Sequence, residues 1–356
     1  MKAQFDHNAI REPETPPRRT GLSRRAVLGG AAGVIAAGVG LDIARHRGAW
    51  PKTPAGLDKV RLAWNPVALC LAPVVLAQNK GIFARHGLDV ELISYAGSTD
   101  QLLESMSTGK ADAGVGMILR WIKPLEQGFD VKLLGGTHGG CIRMLGSRRA
   151  GISEDPASLR GKAIGLAEIT GASRNAFAVL LKYHGLDPDR DVEWRQFPQP
   201  LLGEALRKGE VQAIADSDPI LYLEQKASDG DLIEVVSNLS HPWQDRVCCV
   251  VGSSGAMLRE NPRAAKGLML AMADAASLCS TDPHEAALAF RPYAKSGTLD
   301  DLVAILKSQT HARHPIGRDM TGDIQRYAAE LRAIGVMKPT TDPQRFAANI
   351  VSDVLA

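Results

Sequence analysis

Cys70, Cys141 and the adjacent pair Cys248-Cys249 carry the widest chemistry in this chain, and His138 stands three residues before Cys141. Thiolate and imidazole form the donor set of soft metal ions, so His138 and Cys141 could hold one together. The vicinal pair could be redox active. Against both, Cys279 makes the number of cysteines odd, and the five show no metal-finger or disulfide-scaffold spacing. Cysteine is also a small hydrophobe common in cores. The expected role of the set is packing, with no metal and no cofactor. A metal at His138 and Cys141 is the minor alternative.

A second group of residues suits an anion. Gly97-Ser98-Thr99 and Thr170-Gly171-Ala172-Ser173 each precede a helical pattern. Free N–H groups and the dipole at a helix start attract negative charge. Glycine allows close backbone approach, and Ser98 and Ser173 can donate a hydroxyl. Plain helix capping accounts for either start equally well alone; two facing each other across a cleft would favour a ligand. His138-Gly139 sits in a glycine-rich turn, where an imidazole can bond a ligand or stand as an ordinary surface group. Arg143 and Arg174 are possible counter-charges. Asp216-Ser217-Asp218-Pro219 puts two carboxylates in one turn. Asp218 reads as a helix cap, while Asp216 is left open as a ligand contact.

These residues lie at the ends of alternating strands and helices. Strands are expected at Val60–Trp64, Asp89–Tyr95, Ala111–Met117 and Val131–Leu134, with helices between at 72–79, 101–107 and 118–127. Pro124 weakens the last of these helices. A second series follows: strands at 162–166, 192–197, 211–215 and 232–236, with helices at 175–183 and 201–207. An apolar run at Arg246–Gly252 could return the chain to the first set. Such alternation predicts an α/β fold with parallel sheets covered on both faces. Ligands in such sheets sit beyond the carboxyl ends of the strands. That rule selects Asn65-Pro66, Gly97-Ser98, Gly116-Met117, Thr137–Cys141, Thr170–Ser173 and Asp216–Pro219, with Asn65, Met117 and Asp216 the contacts expected from the first, third and last of these. Trp64 and Trp121 either line the pocket or pack beneath it, with the core expected for Trp121.

The 356 residues leave about 300 after a targeting segment, enough for two domains. Ser23-Arg24-Arg25 precedes a run from Ala26 to Leu41 without a charge, the layout of an export signal. The paired arginines resemble a bacterial twin-arginine signal, which implies export in the folded state. The run is shorter than the roughly 20 apolar residues of a spanning helix. The net charge of +3 comes with no basic stripe interleaved with aromatics, so nucleic acid is excluded as a partner. Aromatics are 5%, too few for an oligosaccharide-stacking surface.

Several segments together resemble the periplasmic nitrate/sulfonate/taurine-type solute-binding proteins. They are Gly81-Ile82-Phe83 through Gly87-Leu88-Asp89-Val90, then Gly109-Lys110-Ala111-Asp112-Ala113, Leu159-Arg160-Gly161-Lys162-Ala163-Ile164-Gly165 and Lys208-Gly209-Glu210-Val211. The resemblance spans about Lys59 to Ser254. It implies a type II periplasmic-binding-protein clamshell of two doubly wound lobes joined by two crossing segments. Residues 1–57 would be signal and linker, 58–145 plus 247–356 the first lobe, and 146–246 the second. It further implies a monomer that hands a small, often anionic solute to the permease and ATPase of an ABC importer. Thiamine-pyrimidine synthases of fungi share this clamshell, and His138 with Cys248-Cys249 loosely resembles their active-site histidine and Cys-rich segment. No catalytic residue is expected: the chain has no G-x-S-x-G elbow, P-loop or H-E-x-x-H, and no G-x-G-x-x-G after its first strand.

Overall fold

Strand β1 (Asp58–Trp64) buries alternate and then consecutive apolar residues, the pattern of a strand covered on both faces. It pairs in parallel with β2 (Leu88–Ser94), from Asp58 opposite Leu88 to Trp64 opposite Ser94. A 3-10 turn at Leu69–Leu71 and helix α1 (Ala72–Asn79) connect them, followed by the short α2 (Ile82–Arg85). In this computed structural model residues 50–95, 99–239 and 243–356 are described. The export signal and Gly97-Ser98 lie outside them. Residues 50–57 cover β1: Trp50 Nε1 donates to the Lys59 carbonyl at 2.9 Å, and Lys59 N–H donates to the Pro51 carbonyl at 2.9 Å. No helix among the described residues is long and apolar enough to cross a membrane.

The chain continues through α3 (Thr99–Ser107), β3 (Ala113–Met117), α4 (Ile118–Glu126) and β4 (Val131–His138). Helix α4 runs two residues past Pro124. Its Trp121 fills a notch in the sheet. A Cβ at Gly116 would lie 2.9 Å from the indole, and one at Gly252 only 2.3 Å from it. Small residues in these strands thus admit the largest side chain of the helix above them.

Strand β4 is twice as long as the sequence pattern predicts. Gly135 and Gly136 read as loop residues, but they lie inside the strand because other chain segments need the space. A Cβ at Gly135 would meet Ile316 and Met269 at 2.8 Å, and one at Gly136 would meet Val247 at 2.6 Å and Pro315 at 2.8 Å. The Gly136 N–H donates to the Pro315 carbonyl at 2.8 Å, which covers the exposed edge of β4.

Strand β5 (Ile142–Ser147) is a strand the sequence reading missed, and it corrects the expected lobe boundary after Leu145. It pairs antiparallel with β8 (Ala213–Ser217) and β9 (Leu232–Ser237), so all of it belongs to the second sheet. The first crossing is therefore Gly139–Cys141. The second sheet is completed by β6 (Lys162–Leu166) and β7 (Val192–Gln196), in the order β7-β6-β8-β5-β9. Helices α5 (Ala172–Tyr183), α6 (Leu202–Arg207) and α7 (Ile220–Lys226) cover it.

The chain returns between Ser237 and Cys249 to β10 (Cys249–Ser254), which inserts antiparallel between β3 and β4. The first sheet thus has the order β2-β1-β3-β10-β4. Helices α8 (Gly255–Glu260), α9 (Pro262–Thr281), α10 (Pro283–Phe290), α11 (Leu299–Ser308), α12 (Gly317–Ala333) and α13 (Pro343–Ile350) end the chain.

The two crossings are locked to each other. Asn238 Oδ1 accepts the backbone N–H groups of Cys141 at 2.8 Å and Ile142 at 2.9 Å. A Cβ at Gly140 would lie 2.2 Å from the Asn238 carbonyl oxygen, so only glycine allows that approach.

Candidate functional site

The two sheets point their carboxyl strand ends at one cavity of about 190 Å³. From the first lobe it is lined by Asn65 after β1, Tyr95 after β2, Met117 at the end of β3 and Arg120 on α4. Gly171, Ala172 and Ser173 at the start of α5, Glu168 before them, and Gln199 and Asp216 line it from the second lobe. Five expected residues thus meet here: Asn65, Met117, Gly171, Ser173 and Asp216. Thr170 is exposed and outside the lining.

Helix α5 begins with Gly171 as its N-cap and no side-chain cap. Its first N–H groups therefore have no side-chain acceptor, the condition under which a helix start can take an anion. Arg120 reaches across from the first lobe and pairs with Glu168. Asn175 Nδ2 donates to the Leu119 carbonyl at 3.2 Å and joins α5 to α4 beside that pair.

Asp216 is buried at the floor. Its Oδ1 accepts from Ser217 N–H at 2.7 Å, Ser217 Oγ at 3.2 Å and Gln199 Nε2 at 3.1 Å. Burial raises its pKa above the usual carboxylate value despite these bonds. Asp218 accepts the Tyr222 N–H at 3.0 Å, the capping role expected for it. It also receives Arg143 Nε at 2.9 Å. Arg143 is held further by Glu234 at 2.9 Å and donates to Ser308 Oγ at 2.9 Å. It is therefore a structural cation, and it is not among the cavity residues. Arg174 pairs with Asp189 on the surface.

His138 corrects the sequence reading most. It is the last residue of β4, fully buried, and neither it nor Gly139 nor Cys141 is among the cavity residues. Both ring nitrogens are buried without a hydrogen-bond partner. Around it gather Cys70, Cys141 and Cys249, whose sulfurs and a His138 nitrogen all lie within 4.8 Å of one another. Cys70 and Cys249 sulfurs are 4.0 Å apart, and Cys141 and Cys248 sulfurs 3.3 Å apart. All five cysteines are free and buried. Hydrogen bonds from the Cys141 and Cys249 thiols hold Cys70 well below its ordinary pKa, while burial pushes Cys249 well above it. Burial works against the His138 imidazolium, but the adjacent Cys70 sulfur outweighs it and raises the pKa.

Tyr95, Arg120, Glu168 and Gln199 are cavity residues that sequence reasoning missed, and Ser217, within the selected Asp216–Pro219 turn, also lines it. Arg120 and Glu168 lie in stretches read as helix and connector, and nothing in their spacing marks them as partners. Trp64 is core: its ring meets Tyr293 edge-on at 5.0 Å.

Two five-stranded α/β lobes, each with one antiparallel strand inserted and a cavity between their carboxyl ends, define a type II periplasmic-binding-protein clamshell. The chain belongs to the NMT1-like family, whose family model matches residues 53–291. It is similar to the 4-amino-5-hydroxymethyl-2-methylpyrimidine phosphate synthase THI11 of Saccharomyces cerevisiae, 32% identical over 138 residues, which are 37% of this chain and 38% of that protein. The bicarbonate transport ATP-binding protein CmpC of Synechocystis is 28% identical over 261 residues, 68% of this chain and 37% of the relative. The chain thus spans well under half the length of these two relatives. The fold is that of the alkanesulfonate-binding protein SsuA of Xanthomonas axonopodis solved with MOPS (TM-score 0.67, 16% identity, 86% of this chain and 100% of the other).

Proposed function

We propose that this protein captures a small solute bearing an anionic group between its lobes, outside the cytoplasm, and delivers it as a monomer to an ABC importer without turning it over. The observation that carries this reading is the shared cavity. Arg120 and the uncapped start of α5 approach it from opposite lobes, and the first crossing, Gly139–Cys141, is short enough to act as a hinge. The anionic group would sit at the α5 start, where it can draw Arg120 away from Glu168. The lining side chains Met117, Leu102 and Leu71 would face an organic remainder. Similarity to a transport ATP-binding protein and to a sulfonate-binding fold supports delivery to an importer. The twin-arginine-like segment supports export.

A thermal-shift and calorimetric screen of nitrate, alkane- and arylsulfonates, carboxylates and pyrimidine precursors tests this. A true ligand at about 100 times its Kd stabilises the fold by ~2.7 kcal/mol, so melting rises with dose and saturates. No stabilisation by any anionic solute would overturn the reading. The fungal synthase similarity favours a second reading, a pyrimidine-forming enzyme. Its readout is a new product by mass spectrometry after incubation with a pyrimidine precursor. The position of His138 outside the cavity lining counts against its use as an active-site histidine.

A further inference from the structure

We propose that Cys70, His138, Cys141 and Cys249 form a tetrahedral site for one thiophilic metal ion of the Zn2+ class, set in the hinge beneath the solute cavity. The four come from separate places in the chain: the 3-10 turn after β1, the end of β4, the first crossing and the start of β10. The sheet brings two of them together, because the antiparallel β10 puts Cys249 opposite His138 at the carboxyl ends of the parallel strands.

The geometry fits a metal before one is bound. With metal–sulfur bonds of about 2.3 Å, a tetrahedron has sulfur–sulfur edges of roughly 3.8 Å. The Cys70–Cys249 separation is 4.0 Å. All four donors lie within 4.8 Å of one another, so inward shifts of about 1 Å or less complete the polyhedron. His138 is the decisive side chain. It is fully buried and neither ring nitrogen makes a well-formed hydrogen bond; the Cys70 sulfur and the Gly139 backbone are the polar groups beside it, and the ion would give one nitrogen a full partner. Cys279, by contrast, is buried in α9 and is not one of the four clustered donors.

Cys248 stands in the layer behind. Its sulfur accepts Asn238 Nδ2 at 3.4 Å and touches Cys141 at 3.3 Å. The same Asn238 holds the Cys141 backbone through Oδ1. Supporting hydrogen bonds of this kind orient ligands in metal sites. Each ligand that carries an ionisable proton must give it up to solvent on binding, so uptake of the ion is accompanied by proton release. Cys141 belongs to the crossing and the other three ligands to the first lobe. The ion therefore ties the crossing to the cavity floor, which Cys70 and Cys249 line.

The test uses the full chain, reduced and freed of metal by chelator, with no solute present, so that its outcome is independent of solute capture. Titration with Co2+ should give thiolate-to-cobalt charge-transfer absorption and the intense visible bands of a tetrahedral site, saturating at one ion per chain and abolished by Zn2+. Zn2+ uptake should release protons in weakly buffered solution, and the release should saturate at one ion per chain. The double substitution Cys70→Ser with Cys249→Ser should weaken Co2+ binding at least 100-fold, and Cys279→Ser should leave it unchanged. If the double variant fails to fold, the rate of alkylation of the native chain decides: the buried thiols react only through local opening, and bound Zn2+ should slow that reaction at least 10-fold. No charge-transfer band in the reduced chain, an unchanged spectrum in the folded double variant, an alkylation rate unaffected by Zn2+, or a persistent Cys141–Cys248 disulfide that excludes metal would each overturn the site.

Discussion

Arg120 and Glu168 are the side chains on which the solute reading turns. They pair across the cavity, one from each lobe. An anion entering the α5 start competes with Glu168 for the guanidinium. Arg120→Gln removes a charge-assisted hydrogen bond of about 1.5–3 kcal/mol, so affinity for the anionic ligand should fall roughly 10- to 150-fold by calorimetry. Glu168→Gln removes the competitor and should hold or improve affinity. Equal losses in both variants would show that the pair only holds the lobes together. Neither residue stood out in the sequence, because an ion pair between a helix and a distant connector has no periodicity. Asn65, Met117, Gly171, Ser173 and Asp216 were legible, because each closes a strand or opens a helix, and strand ends in such sheets converge on the ligand.

At the scale of elements, glycine separates two kinds of constraint. Gly140 sits in the first crossing, where a Cβ would lie 2.2 Å from the Asn238 oxygen and 2.6 Å from its carbonyl carbon. Both are backbone atoms, which cannot rotate aside. Gly140→Ala should destabilise the protein by about 1–3 kcal/mol, as overpacking does, and the melting temperature should drop. Gly322 lies inside α12, with nothing within 4 Å of an added Cβ. Gly322→Ala should stabilise by roughly 0.5–1 kcal/mol by removing backbone entropy from the unfolded chain. A fall in melting temperature for Gly322→Ala, or none for Gly140→Ala, would contradict this reading. Glycine runs also misled the sequence reading, since Gly135 and Gly136 signal a loop yet serve close approach inside β4.

Across the whole molecule, a few contacts hold the lobes in register. Lys226 on α7 meets Asp301 on α11 at 2.6 Å. Asp301 also caps its own helix by accepting the Thr298 N–H at 2.9 Å and hydroxyl at 2.8 Å. The Lys226 ammonium, with the Thr298 bonds, holds the Asp301 pKa down to about 2. The folded pKa lies below the unfolded value, so this carboxylate contributes stability above about pH 4, lost as pH falls towards 2. The native chain should exceed Asp301→Asn in urea-melt stability at neutral pH, and the gap should close between about pH 4 and pH 2. A gap independent of pH would mean that the carboxylate charge contributes nothing. No such long-range contact could be read from sequence, because Lys226 and Asp301 are 75 residues apart.

The sequence by itself determined the βα alternation, the two-lobed class and the strand-end positions of most of the expected ligand contacts. Those properties are local: apolar periodicity, caps and turn glycines act over a few residues. Only the tertiary structure decided that β5 joins the second sheet, because strand pairing is settled between β8 and β9 and not within the segment. It alone moved His138 from a surface turn into the core. It alone brought Cys70 to Cys249 across 179 residues, since the antiparallel return of β10 determines which thiols meet.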